Sequence, residues 1–273
     1  MTTDTHSTHE AAAAEIVTAE TAGGSSTRRG MDPMRKVALA GGLLYLVTFA
    51  ASLPQLKLFA NVIHDPTGYI ASPGSNAALQ LGSLLEIVTA AAGVGTAVAL
   101  YPVTRRVSRT AAIGFVTSRV VEAALILVGV LGMLTVVTLQ HHFAGATGAQ
   151  AQAVGVTGES LVAMRQWTFL LGPGVMAGVN DLLLGYLLYR SRLVPRIIPI
   201  IGLVGAPLIL ISDTVTIFGG WAQISAPSTV FALPVAVFEL SVGVWLTVKG
   251  FRRTALAALD APSVPTRYAV PAG

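Results

Sequence analysis

Apolar residues gather into six long runs along the chain, at 37–59, 77–103, 110–139, 166–189, 197–218 and 230–248, parted by short breaks rich in Gly, Pro, Ser and charge. Crossing a hydrocarbon core of about 30 Å at about 1.5 Å per residue takes about 20 residues of helix, which each run approaches or exceeds. The breaks carry turn chemistry: Asp65-Pro66-Thr67-Gly68 and Ser72-Pro73-Gly74-Ser75 after the first run, Gly219-Gly220 and Ala226-Pro227-Ser228 around the last loop. The pattern predicts an all-α fold, a polytopic membrane bundle with six transmembrane helices over 35–250. Tails at 1–34 and 251–273 are expected to be disordered, the first with four acids in its opening 20 residues, clustered Thr and Ala and Gly23-Gly24-Ser25-Ser26. Its acidic start lacks the basic opening of a secretory leader, so the first run is read as a retained span.

Within the spans, small residues fall at helical spacing. Gly82, Glu86, Ala90, Gly93 and Ala97 share one face, as do Gly174, Gly178, Asp181 and Gly185, and again Ala232, Ala236, Glu239 and Gly243. Helices in lipid associate by close packing of such stripes. Each stripe carries an acid, so Glu86, Asp181 and Glu239 are expected to face the bundle.

Composition agrees with a lipid solvent. The 273 residues are 53% hydrophobic and 11% charged, with a mean hydropathy of +0.70; soluble domains average about 25% charged residues. A soluble enzyme, a disordered regulator and a nucleic-acid reader are thereby excluded, despite a net charge of +4. The absence of cysteine removes disulfides, thiolate metal sites, iron–sulfur clusters and a cysteine nucleophile. Fourteen of the seventeen basic residues precede the first span, follow the last, or lie in the second–third and fourth–fifth connections. Lys57 and Arg165 read as belonging to the other side. The positive-inside rule then puts both termini and the two Arg-rich turns on the cytoplasmic side of the membrane.

Apart from Lys57 at the end of the first run, six charged residues fall within spans: Glu86, Arg119, Glu122, Asp181, Asp213 and Glu239. Insertion charges about 2.5–3.5 kcal/mol for each such group at a helix centre, so they must pair or become neutral. Arg119 and Glu122, at i,i+3, can share a face, and Arg119 is expected to hold Glu122 plus either Glu86 or Glu239. The remaining acids would be protonated or hydrated in an internal cavity. Arg119, Glu122, Asp181 and Glu239 fall at similar depth, Glu86 somewhat further out, and Asp213, a secondary candidate, nearer the outer surface. Histidines occur at positions 6, 9, 64, 141 and 142, none deep in a span, so neither a Ser–His dyad nor a bis-histidine haem is expected, and no metal or cofactor is assigned.

Several runs in this order resemble a known family: Gly41-Gly42-Leu43-Leu44-Tyr45-Leu46, Leu84-Leu85-Glu86-Ile87, Ser118-Arg119-Val120-Val121-Glu122-Ala123, Trp167-Thr168-Phe169-Leu170-Leu171-Gly172-Pro173-Gly174, then, most specific of all, Leu184-Gly185-Tyr186-Leu187-Leu188-Tyr189-Arg190-Ser191-Arg192-Leu193-Val194-Pro195-Arg196, and Phe238-Glu239-Leu240. They resemble the bacterial integral membrane family catalogued as domain of unknown function 4386, over about residues 34 to 252. The resemblance implies a polytopic bacterial membrane protein and carries over no catalytic or ligand residue.

Three functional readings fit these features. The first is a binding or accessory membrane protein with a buried Arg–carboxylate network, its partners the lipid bilayer and a small solute, with no nucleic acid. The alternative is a small secondary transporter driven by protons through Glu86, Glu122, Asp181 or Glu239. An intramembrane enzyme comes third, because no nucleophile, metal shell or cofactor motif accompanies the acids. Oligomeric state is left open.

Overall fold

Residues 31–261 are described by a computed structural model, and the helical unit begins at Pro33. Its elements are α1 (Pro33–Leu58), α2 (Ala60–His64), α3 (Pro66–Ala71), α4 (Ala77–Thr104), α5 (Arg109–Phe143), α6 (Gly148–Phe169), a π-helical segment (Leu170–Met176), α7 (Ala177–Ser191), α8 (Ile197–Ile217), α9 (Ala226–Val248) and α10 (Arg253–Asp260). Six helices are long and apolar enough to cross a membrane, α6 through α7 counting as one of 44 residues. The chain is a multi-pass membrane protein.

Caps set the helix starts. The Ser108 hydroxyl accepts from the Ala111 N–H at 3.3 Å to open α5, and the Asp65 carboxylate accepts from the Gly68 N–H at 2.8 Å to open α3 ahead of Pro66. α7 stops at Arg192, which takes a left-handed conformation (φ 57°) as the C-terminal residue.

Consecutive helices lie side by side: α1 on α4, α4 on α5, α5 on α6 and α7, α7 on α8, α8 on α9, and α9 back on α1. The α1–α9 seam is tight. A Cβ on Gly42 would lie 2.6 Å from the Thr247 backbone nitrogen and 2.9 Å from the Gly243 carbonyl oxygen, so only glycine allows this approach. Arg35 fastens the same end by donating to the carbonyls of Leu246 at 2.7 Å and Thr247. The start of α1 and the finish of α9 therefore share one end of the bundle. The Arg-rich turns share it too, because α10 packs Ala255 and Leu256 into the core there and Asp260 pairs with Arg106 at 2.7 Å.

Two differences from the expected layout stand out. The apolar run predicts the fourth span at 166–189, with an early start near Ser160 and projection into water allowed, but its helix starts further back, at Gly148. At about 1.5 Å per residue it reaches about 66 Å, twice a hydrocarbon core. Its early turns leave the span and bury Val154 and Val162 in a satellite core with Phe59, Ile70, Leu79 and Met133. An Asn76–Gln140 bond (2.6 Å) and Gln140 bonds to the Ser72 and Gly74 carbonyls lock the α3–α4 connection to the end of α5. The second difference concerns the tails. Most of 1–34 and 251–273 lies outside the described residues, but from residue 251 onward the chain first forms α10, whose apolar side has core to cover.

Candidate functional site

The site is built where the small-residue stripes meet. Arg119 projects from α5 about ten residues, about 15 Å, inward from the Arg-rich end, and is 4% exposed. Its guanidinium donates to Glu122 Oε2 at 2.9 Å, to Glu239 Oε1 at 2.7 Å and to the Tyr45 hydroxyl at 3.1 Å. It also lies over the Tyr45 and Phe115 rings, 5.3 and 5.7 Å from their centroids, where ring quadrupoles favour a cation. Asn180 on α7 donates to the same Glu122 oxygen at 2.8 Å and accepts from the Ser118 hydroxyl. One arginine thus ties α1, α5 and α9 together, and Asn180 adds α7.

A second pair lies further toward the opposite end. Arg165 of α6 donates to Glu86 Oε1 of α4, both side chains being almost fully buried. The guanidinium is held between Phe59 and Phe169, 5.2 and 4.6 Å from their centroids. Arg165 reads in the sequence as an outer-side residue and lies instead inside the protein, because α6 continues without a break across the expected loop. Of the two candidates for the second carboxylate on Arg119, the structure places Glu239 there and gives Glu86 to Arg165.

The remaining acids stand apart. Asp181 is 0% exposed and neither of its oxygens finds a hydrogen-bond donor among the described residues; it lies within electrostatic reach of Glu239, Arg119 and Glu122. Asp213 on α8 is buried against the π segment, where a Cβ on Gly174 would come within 2.6 Å of its carboxylate, and its Oδ2 also lacks a donor.

Between the two arginines lies a cavity of about 340 Å³, at the lower end of the range of about 300–1,000 Å³ for small-molecule pockets. Glu86, Arg119, Glu122 and Glu239 line it, with Thr48, Ser52 and Thr89. The π segment supplies one wall through Pro173. Pro173 has no N–H to give a regular helix, and Gly172 lets this wide turn sit on the Glu122 carbonyl and Leu125. A second cavity of about 690 Å³ adjoins on the far side of Arg165, sharing Gln55, Leu56 and Phe169 with the first and bounded further out by His64, Trp221 and Gln223.

The segment that holds these features matches a family profile. The profile described as Domain of unknown function (DUF4386) matches residues 40–250, a stretch that contains both arginine clusters, Asp181 and Asp213. The chain belongs to this family. No curated protein and no solved structure matches it. The DUF4386 region of the chain begins just before the Gly42 contact of α1 and ends just after α9, so it coincides with the closed ring of six spans.

Tyr45, Asn180 and Arg165 are site residues that reading the sequence missed. Asn180 carries a signal, a carboxamide beside an acid in mid-span. Tyr45 carries none beyond its place three residues after the Gly41-Gly42 pair.

Proposed function

We propose that this protein binds a small solute inside the membrane, in the central cavity between Arg119 and Glu86. The observation that carries the reading is that a Glu–Arg–Glu cluster lines a void. A network whose whole task is to fix helix order gains nothing from a cavity at its charges, since every packing atom lost there is a cost. Buried charges lining a hollow at mid-depth are the arrangement by which membrane proteins hold polar solutes. The outer cavity supplies the approach, ending on the Arg165–Glu86 pair. Both termini are assigned to the cytoplasmic side of a bacterial cytoplasmic membrane. The gathering of Arg35, Arg105, Arg109, Arg192 and Arg252 at one end supports this, and Arg165, now inside, leaves Lys57 as the basic residue of the other end among the described residues.

A second reading, movement of the solute coupled to protons, is favoured by Asp181. A carboxyl group fully buried without a partner, beside Glu239 and Glu122, is a place for a proton to reside.

The absence of cysteine makes the test direct. Ser52→Cys and Thr89→Cys, both on the cavity wall, should react with methanethiosulfonate ethyltrimethylammonium in lipid nanodiscs far faster than Ala38→Cys, which is fully buried away from the cavity. Equal, slow reaction at all three positions would refute a solute-accessible cavity.

A further inference from the structure

We propose that the occupant of the central cavity is a small organic ammonium ion with an apolar body. This rests on reading the cavity as a solute site and adds the chemical class.

The charge on the wall is unequal. Three carboxylates and one guanidinium line the cavity, and that guanidinium is already committed to Glu122, Glu239 and Tyr45. Arg165 neutralises Glu86 from the outer side, through Oε1. The other oxygen of Glu86, Oε2, is buried with no donor among the described residues. The residue is 3% exposed. A buried carboxylate oxygen without a hydrogen bond carries its desolvation cost uncompensated, and a cation bound in the cavity beside Glu86 offsets that cost through its charge. A carboxylate or phosphate solute would meet the same acids with repulsion and find Arg119 engaged.

The rest of the wall selects the body of the solute. Phe49, Leu53, Phe169, Ile209 and Val235 enclose the space, apolar surface with two aromatic rings on which an ammonium group is also well received. Leu53 is 60% exposed on the outside of α1, so this side of the cavity grades into the lipid-facing surface. A hydrated inorganic cation makes no use of such a wall. An alkyl- or arylammonium uses both parts of it.

The test measures protection of Ser52→Cys in the full-length protein in nanodiscs against methanethiosulfonate ethyltrimethylammonium, by n-hexylammonium chloride, 1-hexanol or sodium hexanoate. These probes share one chain and differ in head group. Hexylammonium should halve the labelling rate at a concentration about tenfold below that of hexanol, the size of one charge-assisted hydrogen bond, and hexanoate should not protect. Glu86→Gln should erase the advantage of the ammonium, whereas Glu159→Gln, on the exposed surface of α6, should keep it. Protection by hexanol or hexanoate equal to that by hexylammonium would overturn the assignment, as would an undiminished ammonium preference in Glu86→Gln. If Glu86→Gln does not assemble, the ammonium-to-alcohol ratio in the Ser52→Cys protein alone decides. Failure of Ser52→Cys to label without any additive is a different result, which removes the solute site itself and this class with it.

Discussion

Arg165 and Glu86, 79 positions apart in the chain, form an ion pair in which both side chains are buried and the guanidinium lies between two phenyl rings. The pair forms the partition between the two cavities. Truncating one partner strands the other charge, a loss of about 3–5 kcal/mol, whereas removing both is often far milder. Arg165→Ala and Glu86→Ala should each lower the thermal unfolding midpoint in detergent markedly, and the double variant should lose much less than the two together. Additive losses would show that the pair is not coupled.

Arg119 serves two carboxylates at once, so it has no conservative replacement. Arg119→Leu should destabilise by about 3–5 kcal/mol, and Arg119→Lys should fail to restore it, because an ammonium cannot span Glu122 and Glu239 in the planar geometry a guanidinium offers. Midpoints in the same detergent check both; a lysine variant as stable as the parent would contradict the need for a guanidinium.

Asn180 is the link between α7 and the Arg119 cluster. Asn180→Leu removes a donor from Glu122 and an acceptor from Ser118, and should cost about 1–3 kcal/mol, seen as a lowered unfolding midpoint. Ser118→Ala should cost less, since the Ser118 hydroxyl also has the Phe115 carbonyl at 3.1 Å as a partner.

Gly42 has the Thr247 backbone nitrogen and the Gly243 carbonyl, as well as the Thr247 hydroxyl, in the way of any Cβ. Gly42→Ala must push α1 off α9 and should cost about 1–3 kcal/mol. Gly74→Ala, whose nearest neighbour would be 4.0 Å away, is the matched control and should change the midpoint little.

Sidedness is open to direct measurement. In intact cells, Thr147→Cys, exposed at the start of α6, should react with a membrane-impermeant maleimide, whereas Thr110→Cys, exposed at the start of α5, should react only after permeabilisation. The reverse pattern would invert the proposed orientation.

The six spans are legible in the sequence because lipid imposes length and apolarity on each one locally. What escapes is decided by contacts between distant segments. The stretch 148–166 has a polar, Gln- and Gly-containing composition that reads as a loop. It is helix because Gly155 and Gly158 let it close on Thr67 and Ile70 of α3, a partner 80 to 90 residues earlier. Arg165 follows the same logic, since nothing near it in the chain announces Glu86. Pairing Arg119 with Glu122 needs only one helical turn. Choosing between Glu86 and Glu239 requires knowing which helices adjoin α5 and α1, which spacing along one helix cannot supply.

The seam between α1 and α9 has a consequence for how the chain is strung. Because the first and last spans are neighbours and Arg35 already touches the Leu246 carbonyl, the bundle in cross-section has no starting point. A circular permutant that joins the two ends and is cut at Gly219-Gly220 would keep every helix beside its present neighbours. The order of spans in the gene is one of several that this closed ring of contacts permits.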